Sequence, residues 1–344
     1  MLFYVAERDS SMNDVNRQWV LASRPSGMVG EENFRFVEAP IPDPGEGEYL
    51  VRTLYVSVDP AMRGWLVDRP SYVPPVGIGE VMRASGAGRV VASNNSSMPV
   101  GRIVTGLTGW QDYAVAREGF RPLPDGVTPE AALSVLGLTG MTAYFGLFDV
   151  GELEEGETVV VSGAAGAVGS VAGQIAKIKG CRVVGIAGSP DKCAWVTDDL
   201  GFDACIDYRA EDVGRRLRET CPDGIDLYFD NVGGPILDLA LARINERARI
   251  VLCGAISSYN ATEPRPGPSN LGVLIPKRGR MEGFIVFDYA SRYKEAAREM
   301  GAWIAEGKLQ SREQLVEGLE RAPDALRMLF EGANTGKLLV KVAE

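Results

Sequence analysis

The chain has 344 residues, 45% of them apolar and 24% charged, with a formal charge of −10. That length accommodates two domains and a large core, and the acidic balance argues against nucleic acid or an anionic membrane as partner. No run approaches the roughly twenty apolar residues of a membrane span, and no signal pattern follows Met1, so the expectation is a cytoplasmic protein.

Histidine is absent, which removes the usual general base and the commonest zinc ligand. Cys181, Cys193, Cys205, Cys221 and Cys253 are scattered, with no CxxC pair. They read as buried thiols rather than a disulfide frame or a zinc site. A bound cofactor must therefore carry most of any chemistry, with no metal.

Up to about Pro124, short apolar runs at 49–58, 86–92 and 102–107 alternate with Pro- and Gly-rich turns at 42–45 and 94–95. Such spacing predicts a compact, mostly β domain. Thr128-Pro129-Glu130 then has the form of a helix N-terminus, and a small-residue helix is predicted through 140–148.

Residues 158–161 form a β-branched run that breaks into Ser162-Gly163-Ala164-Ala165-Gly166-Ala167-Val168-Gly169. A helical pattern through Lys179 and a second apolar strand at 182–187 follow. Strand, glycine-rich turn, helix and parallel strand make the first βαβ unit of a dinucleotide-binding (Rossmann) fold. In the turn, Gly166 admits a pyrophosphate against the backbone and Gly169 lets helix and strand pack closely.

NAD-preferring enzymes of this fold carry an acid near the end of the second strand. Here Ala187-Gly188-Ser189 occupies that place, with Lys192 close by. A neutral strand end followed by a hydroxyl and an ammonium suits the 2′-phosphate of NADP(H). Ser189 can equally cap the next helix, and both can hold at once.

The alternation continues with a helix to Leu200, a strand at 204–206, a helix at 211–220, a strand at 227–230, a helix at 235–244 and a strand at 249–253. These predict an open, doubly wound parallel sheet. Residues 262–267 read as a loop, 283–287 as a strand, 291–306 as a charged amphipathic helix, and 333–342 as a strand returning to the first domain. The expected division is 1–127 (catalytic domain, first part), 128–306 (dinucleotide-binding domain) and 307–344 (a segment rejoining the catalytic domain).

Several motifs carry a resemblance: SVDPAMRG (57–64), GLTGMTAYFGL (137–147), the glycine-rich turn, DNVGG (230–234), CGAISSYN (253–260), MEGFIVFD (281–288) and GANTGKLLV (332–340). In this order, over almost the whole chain, the sequence resembles the zinc-free medium-chain dehydrogenases/reductases. Within them it resembles the prostaglandin reductase (leukotriene B4 dehydrogenase), alkenal reductase and curcumin reductase branch. The resemblance implies a mostly β GroES-like domain beside the Rossmann domain, a homodimer, and an active site in the cleft between domains. It implies NADPH-dependent reduction of a C=C bond conjugated to a carbonyl, in a small hydrophobic enone or alkenal.

The same resemblance puts Ala165, Gly166, Ala167 and Val168 under the pyrophosphate and Lys192 and Tyr208 at the 2′-phosphate. It puts Asn231, Cys253, Gly254, Ala255, Ile256, Ser257, Phe284, Ile285, Val286 and Asn334 along the nicotinamide and ribose. Ala61 departs from the aromatic residue that prostaglandin-reducing members carry in SVDPAMRG, which bears on substrate identity rather than on the reaction. Tyr113, in a W-x-[DE]-Y segment, reads as structural.

Hydride transfer to the β-carbon of an enone leaves charge on the carbonyl oxygen, so a donor is required there. Without histidine or zinc, Tyr259 is the first candidate, with the nicotinamide ribose 2′-hydroxyl as an alternative and water supplying the α-proton. Tyr55, Met62, Arg63, Tyr72 and Phe287 are the expected substrate-pocket residues. Quinone reduction on the same scaffold and a non-catalytic cofactor-binding role remain as alternatives.

Overall fold

The computed structural model describes residues 15–344. Two units are distinguished. The first runs to Leu133 and takes in Leu315–Leu329 and Leu338–Glu344; the second comprises Ser134–Gln314 and Phe330–Lys337.

In the first unit, β1 (Asn16–Leu21) and β2 (Phe34–Ala39) form an antiparallel pair. A second sheet is built from β3 (Tyr49–Ser57), β4 (Ser85–Ser93), β5 (Ile103–Leu107), β6 (Tyr113–Ala116) and β7 (Arg121–Pro122). Its inward residues, among them Tyr49, Val51, Val90, Val104 and Phe120, close one core. Tyr113, on β6, is also buried, its N–H held by Asn16 Oδ1 at 3.0 Å. Alternation along these strands is what the short apolar runs encode.

The second unit is a six-stranded parallel sheet: β8 (Thr158–Ser162), β9 (Arg182–Ala187), β10 (Ala204–Asp207), β11 (Ile225–Asp230), β12 (Ile244–Leu252) and β13 (Arg280–Gly283). The order is β10-β9-β8-β11-β12-β13, reversing direction between β8 and β11. Val159, Val160 and Val161 are fully buried in central β8, the continuous apolar run expected of a strand covered on both faces. Finally β14 (Glu313–Glu317) and β15 (Lys337–Lys341) extend the first unit's sheet, with β15 antiparallel to β3.

Three expectations need correction. The predicted strand at 283–287 is instead β13, ending at Gly283, followed by a 3₁₀ segment Val286–Arg292. The helix expected to run from the Thr128 N-terminus through 140–148 is broken at 134–137: Pro129–Leu133 and Leu138–Phe145 are separate helices, the second continuing into a π turn, Gly146–Val150. The amphipathic helix Ala322–Glu331 was not expected from the sequence at all. Among the described residues no helix is long and apolar enough to cross a membrane.

Candidate functional site

The sheet order reverses between β8 and β11, and in such folds ligands bind beyond the carboxyl ends of the strands at that point. Ser162 ends β8 and Asp230 ends β11. The Ser162 hydroxyl donates to Asp230 Oδ1 at 2.8 Å. That oxygen also accepts from the Tyr228 hydroxyl at 3.0 Å and the N–H groups of Val232 at 3.0 Å and Gly233 at 2.9 Å. Asp230 is wholly buried, and its second oxygen has no hydrogen-bond partner among the described residues. Burial and the Asp230 charge drive the Tyr228 phenol well above its ordinary pKa and push the Cys253 thiol up to about 12.

Asn231 is placed by the same bolt. Its N–H reaches Ser162 Oγ at 2.9 Å and its Nδ2 donates to Ser162 O at 2.7 Å. The loop after β12 is laced onto this turn. Cys253 and Gly254 donate their N–H groups to Asp230 O at 2.9 and 3.0 Å. Ile256 donates to Asn231 O at 3.3 Å, and Ser257 to Val232 O through both N–H and hydroxyl. Tyr259 folds back so that its hydroxyl oxygen accepts the Ala255 N–H at 3.1 Å.

The glycine-rich turn opens the helix Ala167–Ile178, with Gly166 at its N-cap. A Cβ on Gly169 would stand 2.3 Å from Gly163 O, so only glycine permits this approach of helix to turn. Ala165 O accepts the Gly336 N–H at 2.8 Å, and Asn334 Nδ2 donates to Gly336 O at 3.1 Å. The GANTG segment therefore lies against Ala165 and Gly166; motif spacing gave no sign of that pairing. Ser189 does cap the helix Pro190–Ala194, accepting the Lys192 N–H at 3.3 Å.

Lys192 Nζ donates to Gly332 O at 2.9 Å. Burial, then the neighbouring Arg209 charge, makes it hold its proton less tightly than an ordinary lysine. Tyr208 lies beside them, with the Arg209 guanidinium 5.8 Å from its ring centre. Arg209 is a residue that sequence reasoning missed, although it directly follows Tyr208.

Phe284, Ile285 and Val286 follow β13. The Phe284 ring meets Tyr289 edge-on at 6.4 Å, and Val286 O accepts from the Tyr293 hydroxyl at 3.0 Å. Phe287 is 44% exposed and Tyr72 48% exposed. The other three expected pocket residues are placed differently. Met62 is wholly buried. Arg63 is 4% exposed and donates to Pro25 O and Gly27 O, so it ties down a turn of the first unit. Tyr55 packs against Ala87, Leu133 and Leu339; its hydrogen bond to Glu130, then burial, raises its pKa to about 12. Met62 and Arg63 are thus enclosed in the first unit, whereas Tyr55 stays half-buried.

Residues 17–121 match a family model described as the N-terminal domain of oxidoreductase, and 167–302 match one described as zinc-binding dehydrogenase. The chain is 49% identical over 339 residues to the NADPH-dependent curcumin reductase of Escherichia coli (strain K12), covering 95% of this chain and 97% of that protein. The chain belongs to the medium-chain dehydrogenase/reductase family, in its zinc-free reductase branch. Within the family it is 40% identical over 332 residues to prostaglandin reductase 1 of Rattus norvegicus, covering 94% and 98% of the two chains. The crystal structure of CurA in complex with NADPH from Vibrio vulnificus superposes with a TM-score of 0.92 at 49% identity, covering 95% and 99%. The fold is the family's: a GroES-like domain and a parallel-sheet Rossmann domain. Although one family model is named for zinc, the sequence has no histidine, and no group of three or more Cys, Asp or Glu among the described residues is arranged to hold a metal.

Proposed function

We propose that the protein reduces the C=C bond of α,β-unsaturated ketones or aldehydes with NADPH, placing hydride on the β-carbon. The observation that carries this reading is the bolted pair of loops at the β8/β11 switch point, which holds Asn231 and Tyr259 on one scaffold. The similarity to curcumin and prostaglandin reductases supports the substrate class.

The residues present fit the cofactor. The glycine-rich turn offers the close backbone approach that a pyrophosphate needs. Lys192 lies beyond the end of β9, a strand that carries no acid, and Arg209 beyond the end of β10; both offer cations bonded to carbonyls. NADPH, when bound, supplies the hydride. The chain's own work is to orient and to stabilise charge. Tyr259, anchored through its oxygen by Ala255 N–H, donates its proton toward the enolate oxygen of the substrate; the N–H bond makes the phenol a better donor. It polarises the substrate carbonyl rather than surrendering its proton, and water delivers the α-proton. Phe287 gives apolar surface to the substrate.

A homodimer is supported by β13, which ends the sheet as an edge strand, and by the exposed Leu271 and Ile275 that precede it. Five free thiols suit the cytoplasm. The test of function is NADPH consumption with an alkyl enone, an alkenal, a quinone and a saturated ketone, each with and without chelator. Turnover of enone and alkenal, indifferent to chelator, supports the proposal; turnover confined to the quinone or the saturated ketone rejects it.

A further inference from the structure

Lys192 and Arg209 stand near one another, and among the described residues neither side chain forms an ion pair. Their side chains donate to consecutive carbonyls, Lys192 Nζ to Gly332 O at 2.9 Å and Arg209 Nη2 to Glu331 O at 3.0 Å. The neighbouring Arg209 charge acts on Lys192 repulsively, adding to the effect of burial. Lys192 is half-buried and Arg209 exposed; holding two like charges close together is unfavourable, and carbonyl dipoles offset only part of it. A dianion placed between them would offset the rest.

The surroundings hold Arg209 in position. Its guanidinium lies over the Tyr208 ring, and its own N–H is tied to Asp207 Oδ1 at 3.0 Å. Gly332 has φ +66°, and a Cβ there would come within 3.2 Å of Arg209 Nη2, so a larger residue would crowd the guanidinium. On the other flank, Gly188 packs so closely on Tyr208 that a Cβ would lie 2.8 Å from the ring.

We infer that Arg209 is the specificity-determining partner of Lys192, the two forming a clamp for the 2′-phosphate that separates NADPH from NADH. The inference rests on the reading of NADPH as cofactor and adds the residue that enforces the choice. The segment 331–336 backs this clamp with its carbonyls at one end and meets Ala165 at the other, so one stretch of chain supports both phosphate sites.

The test is calorimetric titration of the full chain with NADPH, NADH and adenosine 2′,5′-bisphosphate, none of which requires turnover. Arg209→Ala is expected to weaken NADPH and the bisphosphate by about tenfold or more while NADH changes by less than about twofold. Arg209→Gln, which keeps a donor for Glu331 O and removes the charge, gives the same loss and serves if the alanine variant fails to fold. A wild type that prefers NADPH, with variants that keep the same NADPH-to-NADH ratio, overturns the role of Arg209. A wild type with no preference overturns the NADPH reading itself.

Discussion

The Ser162 hydroxyl, at the end of β8, donates to Asp230 Oδ1 at the end of β11 across 2.8 Å, and it accepts the Asn231 N–H at 2.9 Å. One hydroxyl thus locks the two strands between which the sheet reverses and fixes the first residue of the DNVGG turn. Ser162→Ala removes a donor from a wholly buried carboxylate and an acceptor from a backbone N–H. The expected loss of stability is about 1–3 kcal/mol, read as a lower urea midpoint at unchanged slope. A midpoint equal to that of the wild type would show that the bolt contributes nothing.

Gly169→Ala forces a Cβ to 2.3 Å from Gly163 O, a backbone atom with little freedom to retreat. The helix must move off the turn, at a cost of about 1–3 kcal/mol, and NADPH affinity falls with the geometry of the turn. Thermal unfolding and cofactor titration on the same variant check both.

Much of this was legible because local signals agreed with one another. The β8–turn–helix–β9 unit combines a β-branched run, glycines at fixed spacing and a 3.6-residue period, and the structure places it as expected. What was not legible depends on distant partners. Met62 and Arg63 look like pocket residues by side-chain type, yet core neighbours and the carbonyls of residues 25 and 27 enclose them. Arg209 gave no signal, because its meaning lies in a carbonyl 122 residues away. The strand expected at 283–287 failed because an apolar run looks alike in an edge strand and in a 3₁₀ segment packed by Phe284 and Tyr289.

Tyr259→Phe removes the hydroxyl that Ala255 N–H holds. The expected fall in kcat is toward the lower end of ~10²–10³, with NADPH affinity unchanged, since the ring and its loop contacts remain. Steady-state kinetics with one enone, together with cofactor titration, separate the two quantities. An unchanged kcat would remove Tyr259 from the chemistry.

The Cys253 thiol is held at about 12, first by burial and then by the Asp230 charge. Because the folded state keeps a proton that the unfolded chain releases near its ordinary value of 9.0, stability from this group is complete below about pH 9. It is lost progressively as pH rises toward 12. Cys181, raised to about 11 by burial, acts in the same direction. Urea midpoints at about pH 8 and about pH 10.5 should show a decline, and Cys253→Ala should make that decline shallower. An equal decline in the variant would assign it to other groups.

The most direct measurement of the central claim is the fate of label from NADPH carrying deuterium at the transferable position, with an aryl enone as substrate. The expected product is the saturated ketone with one deuterium on the former β-carbon and none on the carbonyl carbon. An allylic alcohol carrying deuterium on the carbinol carbon would contradict the account, because hydride would then have gone to the carbonyl.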